Sequence, residues 1–578
     1  MLVEKDRHIA LPDGTRLMAD VYRPDHNEPV PALVAFTAFG KAVQALGLKR
    51  KPLTLGMCLD DLSLEVGGID FFVENDYAVV VTNPRGIGNC EGVWHGLYSL
   101  QDQQDCACVV EWAAFEPWCT GKVGMIGTGT AGRIQPLTAS RQPPHLKAIM
   151  PVDLIDDFYQ ENYPGGIFTN YYLPFTSTIP IINAISDAER TLPKDELLRR
   201  MQESLQRPEI VEEPYLYRMM ETVPPRHFPQ LVDFVLNDKD GPFWAERSQK
   251  GKNKDIVIPM YAVTWCYEFG RSMKAAINAF VDPACTAPRK LMLLGHASKR
   301  QLPFHQANEE MLRWYDHWLK GIDNGVMEEP PVKLYVGGEE RYRAEACWPV
   351  KGCSFQKLYL TQGGLSFDGP QGEPDSLYHE PPIFKSQFSG QIPALKYTTG
   401  ALQEDMELTG PVSCTLYGEI DQSDGNFHAK LWDAFPDGTR ILLATGCVRA
   451  ACREVISDGL YGEAPENQLD HPTPVEPGRI YEYHFGLNPV CHVFKNGHEL
   501  HLEIKATDPQ SYSFTDSTTI PRLFSSGHTS GPLPSTLFTR YRFHHDARHP
   551  SHITVPLVKL PAGKWLDQPF AAPEKGRV

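Results

Sequence analysis

Three things are scarce in this sequence, and each scarcity removes a class of function. Basic charge is in deficit: 55 Lys and Arg stand against 72 Asp and Glu, a formal net charge of −17. A nucleic-acid partner needs a basic face, and an anionic membrane surface repels such a chain. Long apolar runs are missing, and nothing approaches the roughly 18 consecutive apolar residues of a membrane-spanning helix. The opening Met1-Leu2-Val3-Glu4-Lys5-Asp6-Arg7 lacks the apolar stretch of a secretion signal. A paired cysteine framework is absent too: the 13 cysteines are odd in number, and Cys106 and Cys108 stand too close for a C-x-x-C motif. Free thiols in a reducing compartment, and so a cytoplasmic location, are the expectation.

What is present is an ordinary globular composition, 42% hydrophobic and 22% charged over 578 residues, a length for roughly three or four domains. A hairpin is predicted around Pro12-Asp13-Gly14. Val30 to Phe36 and Tyr77 to Thr82 are apolar runs typical of strands covered on both faces. Gln101 to Ala114 is a helix with Cys108, Val109, Trp112 and Ala113 on one stripe, and Leu146 to Val152 is a further strand. Strands alternating with helices predict an α/β core over residues 1–154 and, after an insertion, 251–338. Residues 155–250 carry helical signal and little strand signal, and are read as a helical cap over the carboxyl edge of the sheet. From 339 to 578 the pattern has period two, which predicts an all-β domain of the sandwich or jelly-roll kind. A β-domain of this size leaves room for a homodimer.

The stretch Gly121-Lys122-Val123-Gly124-Met125-Ile126-Gly127-Thr128-Gly129-Thr130-Ala131-Gly132 reads as a strand, a tight glycine turn and a helix start. This is the layout of a nucleophile elbow, where a strained turn lifts one side chain above the end of a sheet. A serine is expected at the tip, and the sequence has Gly129, which has no side chain with which to attack.

The order of parts resembles the CocE/NonD-type family of cocaine esterases and X-Pro dipeptidyl-peptidases. The resemblance is carried by Leu11 to Leu17 with Asp20-Val21-Tyr22-Arg23-Pro24, by Asn83-Pro84-Arg85-Gly86-Ile87-Gly88, by Gly121 to Gly127, by Trp314-Tyr315-Asp316-His317-Trp318-Leu319-Lys320-Gly321, by Ala429-Lys430-Leu431-Trp432-Asp433, and by His545-Asp546-Ala547 with His549-Pro550-Ser551. It implies an α/β-hydrolase core, a helical cap and a C-terminal jelly roll, with the site between them. It also implies four departures at the chemical positions. Gly129 stands where the family has its serine. Glu268, after Trp265-Cys266-Tyr267, is the nearest match to the acid. Lys299 falls at the histidine position, in Gly295-His296-Ala297-Ser298-Lys299. Phe39 replaces a tyrosine whose hydroxyl helps hold the oxyanion. Without a hydroxyl at the tip, a triad has nothing to activate.

Two readings of the replacements stay open. Glu268 and Lys299 form an ion pair that keeps the old geometry, or Lys299 acts as acid, base or hydrogen-bond donor with a lowered pKa. His296 is a further catalytic candidate, set against a structural role. Thr128 and Thr130 flank the tip, and with Gly129, Phe39, Tyr267 and Tyr159 they are the expected pocket-lining residues. The tyrosines Tyr159, Tyr163, Tyr171 and Tyr172 are equally readable as cap packing. Arg85 is read as structural. His544, His545 and His549 fall in the stretch matched to the family's β-domain, so no metal is expected, and no cofactor either. Three functions compete. One is a non-hydrolytic step on a small organic substrate, such as cyclisation, isomerisation or elimination. Another is a hydrolase or acyl transferase with a relocated nucleophile. The third is a non-catalytic binding module, for which Glu268 and Lys299 would be dispensable.

Overall fold

The computed structural model describes residues 1–45, 64–169, 179–207, 210, 217, 220, 229–266, 271–295, 305–379, 393–507, 537–559 and 563–567. Its first sheet is built from β1 (Leu2–Ala10), β2 (Arg16–Arg23), β3 (Val30–Phe36), β4 (Ala78–Thr82), β5 (Cys119–Met125), β6 (Leu146–Ile149), β7 (Met260–Trp265), β8 (Arg289–Leu294), β9 (Val332–Val336) and β10 (Arg341–Glu345). Every residue of β3 and β4 is buried, as their unbroken apolar runs predict. The spatial order is β1-β2-β4-β3-β5-β6-β7-β8-β9-β10. From β4 to β9 neighbouring strands are parallel, with antiparallel pairs at the two edges. Because β4 and β5 lie on opposite sides of β3, the winding reverses there. The crevice at the carboxyl ends of β3 and β5 is where such sheets bind ligands.

Helices α1 (Lys41–Gln44), α2 (Ile69–Glu74), α3 (Leu100–Phe115) and α4 (Gly129–Ala139) belong to the first part of the core. Ser99 starts α3 by accepting from the Asp102 amide at 3.2 Å, an N-cap worth roughly 1 kcal/mol. The cap contributes α5 (Phe158–Asn162), α6 (Asp187–Thr191), α7 (Lys194–Ser204), α8 (Pro229–Leu236) and α9 (Pro242–Arg247). Its nucleus is aromatic. Tyr159 stacks on Tyr163 at 5.1 Å, and Trp244 meets both edge-on. The core resumes with α10 (Ser272–Val281) and α11 (His305–Tyr315). The Trp314–Gly321 motif is there for packing. Trp314 donates its indole N–H to the Ile149 carbonyl at 3.1 Å, and Tyr315 donates its hydroxyl to the Met125 carbonyl. A side chain at Gly124 would meet the Tyr315 ring at 2.7 Å, so that strand position requires glycine. Among the described residues no helix is long and apolar enough to cross a membrane, and the twelve described cysteines are free thiols.

The second sheet system is all-β: β11 (Cys353–Thr361), β12 (Gly364–Ser366), β13 (Asp375–His379), β14 (Leu395–Thr398), β15 (Met406–Gly410), β16 (Ser413–Ile420), β17 (Asn426–Ala434), β18 (Arg440–Arg449), a small pair β19 (Val455–Ser457) and β20 (Glu466–Asn467), then β21 (Tyr481–Gly486), β22 (Val490–Phe494), β23 (Glu499–Lys505), β24 (Thr539–His544) and β25 (His552–Val558). Phe427, Tyr483, Tyr541 and Phe543 stack inside it. The expected boundary at 338/339 falls inside the β9–β10 hairpin, and the last described strand, β26 (Lys564–Leu566), pairs with β10.

The two sheets are joined by a buried charge cluster. Arg343 on β10 is fully buried; it donates to both carboxylate oxygens of Glu407 on β15 at 3.0 and 2.6 Å and faces Glu345 at 2.6 Å. Arg343→Ala would leave two carboxylates buried without their cation, and is expected to cost about 3–5 kcal/mol. Chemical denaturation followed by tryptophan fluorescence should show the lower midpoint. Arg341→Ala, which removes a half-exposed partner 3.8 Å from Asp567, should leave the midpoint nearly unchanged.

Candidate active site at the strand-to-helix turn

The elbow forms where the sequence places it. β5 ends at Met125, Thr128 caps α4, and Gly129 is the first helical residue with φ +56°. That is left-handed backbone, which glycine adopts without strain. The space above Gly129 is filled. A Cβ placed there would lie 2.5 Å from Oε1 of Glu65, so a carboxyl group from the stretch before α2 occupies the place of the missing side chain.

Glu65 is held from four directions. Its Oε1 accepts from the Thr130 amide. Its Oε2 accepts from the Thr37 hydroxyl at 2.6 Å, the Thr130 hydroxyl at 2.5 Å and the Ala131 amide at 3.3 Å. The Thr130 amide follows the tip residue, and in a nucleophile elbow that amide belongs to the oxyanion hole. The carboxyl group therefore sits on the N-terminus of α4, where free N–H groups and the helix dipole favour an anion. The backbone of the acid is strapped down as well. The Glu65 carbonyl accepts from the Thr128 amide at 3.0 Å. The amides of Glu65 and Val66 both donate to the Gln44 side-chain carbonyl, at 2.8 and 3.0 Å.

Burial nonetheless wins over these donors and over the charge of Arg133. The Glu65 carboxyl is pushed up from 4.5 to about 7. Behind it lies a second polar group. Arg133 on α4 donates to the Asp153 carboxylate at 2.9 Å and stands 3.8 Å from Glu161. Ser272 donates to the other Asp153 oxygen. Among the described residues, the Thr128 hydroxyl and Oε2 of Glu161 are buried without a hydrogen-bond partner, and the Tyr98 hydroxyl is buried beside Arg133. Tyr98 holds a strained φ of +61°, and Arg133 and Glu65 both act on its hydroxyl electrostatically. Strain of this kind collects at functional sites, where it costs on the order of 1–3 kcal/mol.

Of the residues expected at the site, Gly129, Thr128, Thr130 and Phe39 meet at the ends of β3 and β5. Thr130 bonds the acid and accepts from the Ala38 amide at 3.3 Å. Phe39 is buried, with its amide bonded to Thr37 at 3.2 Å. Tyr159, expected to line the pocket, is 1% exposed and belongs to the cap nucleus. Its hydroxyl donates to the Asp238 carbonyl at 3.1 Å, as cap packing requires. Lys299, Glu268, His296 and Tyr267 lie outside the described residues, as do Tyr171 and Tyr172. Arg85 grips Asp105 through two bonds, at 2.6 and 2.7 Å, and reaches Asp13 at 2.8 Å, a structural role. Sequence reasoning missed Glu65, Thr37 and Tyr98. The signal for Glu65 was a lone acid in Leu64-Glu65-Val66-Gly67-Gly68, an otherwise apolar and glycine-rich approach to a helix.

Two outcomes follow from this geometry. Gly129→Ala should destabilise the chain by about 1–3 kcal/mol, through positive φ and contact with Glu65. In a Glu65→Ala background the cost should fall by about 1 kcal/mol, a coupling that a double-mutant cycle in denaturant measures. The Glu65 carboxyl also has a folded pKa above its unfolded value, so it binds protons in the folded state first. Its contribution to stability is fully present below pH 4.5 and is lost as pH rises to about 7. The stability difference between the wild type and Glu65→Gln should therefore fall by on the order of 3 kcal/mol across that window. Asp233, also raised to about 7, cancels in the difference.

Comparison with known proteins bears on the whole length. Residues 13–293 match the X-Pro dipeptidyl-peptidase (S15 family) model, and residues 324–554 match the X-Pro dipeptidyl-peptidase C-terminal non-catalytic domain. A cocaine esterase of Rhodococcus sp. is 25% identical, over 95% of this chain and 98% of its own length. A CocE/NonD family hydrolase from Staphylococcus aureus shares the fold with a TM-score of 0.74 at 18% identity, over 96% of this chain and 94% of that one. An α-amino acid ester hydrolase does so with a TM-score of 0.71 at 18% identity, over 96% of both chains. With the two domain models matched in order over most of its length, the chain belongs to the CocE/NonD-type X-Pro dipeptidyl-peptidase (S15) family of α/β-hydrolase-fold proteins.

Proposed function

We propose that this chain is an enzyme of the α/β-hydrolase fold that has lost the serine nucleophile. In this reading it carries out a non-hydrolytic proton-transfer step, such as a cyclisation, isomerisation or elimination, on a small organic molecule. The observation that supports this is the Glu65 carboxyl group, set over Gly129 on the elbow amides with a pKa of about 7. A general acid or base works best when its pKa lies near the working pH. The buried Tyr98 hydroxyl, beside Arg133, is a donor for charge developing on the substrate, and Arg133 supplies a fixed positive charge behind the acid. No covalent intermediate is needed. Placement and one proton-transfer group suffice for reactions of this class. Lys299 and Glu268 retain their two readings, as a second acid–base pair or as an ion pair that preserves the old geometry.

A second reading has its own observation. Oε1 of Glu65 stands 2.5 Å from where a Cβ of residue 129 would be, so the carboxylate is also placed for a relocated nucleophile. Against this reading stand the four donors that hold both oxygens, since they lower the carboxylate's nucleophilicity and would be disrupted in an ester.

The test is a turnover screen of the purified chain against small organic metabolites, read by mass spectrometry. Products isomeric with the substrate, or lighter by an eliminated fragment, are expected. Glu65→Gln should lower the rate by about 10²–10⁴-fold and remove a limb of the pH–rate profile near 7. The activity falls above that pH if Glu65 acts as the acid and below it if it acts as the base. Ester hydrolysis undiminished in Glu65→Gln, or fluorophosphonate labelling of Thr128, Thr130 or a cysteine, would overturn the proposal. Oxygen from isotopically heavy water appearing in Glu65 after turnover would establish the second reading in its place.

A further inference from the structure

The run His544-His545-Asp546 with His549 holds three histidines in six residues, and the fold sorts them. His545 points inward and is fully buried. Its Nε2 lies 3.0 Å from Asp375 Oδ2 and its Nδ1 3.2 Å from the Gln371 carbonyl. His544, at the end of β24, projects the other way. There it converges with Asp546 and His549 from the turn that leads into β25, with one ligand-type atom from each lying within 4.8 Å of the others. Beside them, on β16, Glu419 Oε1 lies 3.4 Å from His544 Nε2. His549 Nδ1 and Asp546 Oδ2 are 3.1 Å apart.

We infer that His544, Asp546 and His549, with Glu419 beside them, form a binding site for a borderline divalent cation of the zinc class. The argument is geometric and chemical. Ligands at 2.0–2.1 Å from a tetrahedral ion stand about 3.3 Å from one another. The Asp546–His549 pair, at 3.1 Å, already stands at that spacing, and the three ligand atoms lie within 4.8 Å of one another. Two imidazoles and a carboxylate suit zinc better than calcium or magnesium, which take oxygen shells. The site is open enough to fill, since the Asp546 and His549 side chains are 42% and 29% exposed. Arg542 stands 3.6 Å from Glu419, so Glu419 is shared and the His544–Asp546–His549 set carries most of the affinity. An ion here would tie the β24–β25 turn to β16, far in sequence from the elbow and independent of its chemistry.

The experiment uses the full chain, stripped with a chelator and titrated with zinc chloride against a chromophoric competitor. One equivalent should bind. Asp546→Asn and His549→Ala should each weaken binding by about tenfold or more. The asparagine keeps the side-chain oxygen that accepts from the Arg548 and His549 amides at 2.7 and 3.1 Å, so that variant leaves the turn folded, which circular dichroism checks. His471→Ala, which removes a mostly exposed histidine 3.6 Å from Asp470, should bind as the wild type does. Absence of stoichiometric binding, or unchanged affinity in both site variants, would overturn the inference.

Discussion

A carboxyl group buried against the N-terminus of a helix is the contact around which the elbow is arranged. Two backbone amides and two threonine hydroxyls converge on Glu65. These are groups that must find an acceptor, because an unpaired buried donor costs about 1–3 kcal/mol. In the hydrolase scaffold the same amides wait for a charge that forms only during reaction. Here the chain supplies its own acceptor. Removal from water opposes the charged form, the donors and the helix dipole support it, and the balance leaves the proton near neutrality.

That contact couples two distant stretches of sequence. Gly129 must be glycine for two separate reasons, its positive φ and the oxygen that stands where a Cβ would be. Glu65 in turn reaches the turn only because Gln44 and the Thr128 amide hold its backbone in place. A side chain at 129 and a carboxylate from 65 exclude each other, so the two positions are best understood as one unit. The Thr128 hydroxyl at the same turn is buried with no hydrogen-bond partner among the described residues, where buried polar atoms are ordinarily satisfied.

The rest of the architecture keeps this turn rigid. Tyr315 and Trp314 pin the helix behind the sheet to the carbonyls of Met125 and Ile149, which sit on the elbow strand and its neighbour. Arg343 locks the edge of the same sheet to the β-domain. The helices of residues 155–250 close on an aromatic nucleus of Tyr159, Tyr163 and Trp244.

The classes of element were legible because burial leaves a periodic mark. Continuous apolar runs became the central strands β3 and β4, alternation became the sandwich, and Gly-Thr-Gly became the turn. The vacancy at 129 was equally legible, since a glycine cannot carry a nucleophile in any fold. What fills the vacancy was not. Glu65 lies 64 residues before Gly129 on the chain, and local pattern carries no record of a contact closed through the tertiary fold. The same holds for the histidines at 544, 545 and 549, which look alike in a row until strand pleating sends one inward and brings the other two together. The sequence alone determined the scaffold and the glycine at its turn, because those follow from residue type and period. Only the tertiary structure decided which carboxyl group sits on the elbow amides and how strongly it holds its proton, because both depend on distance and exclusion of water.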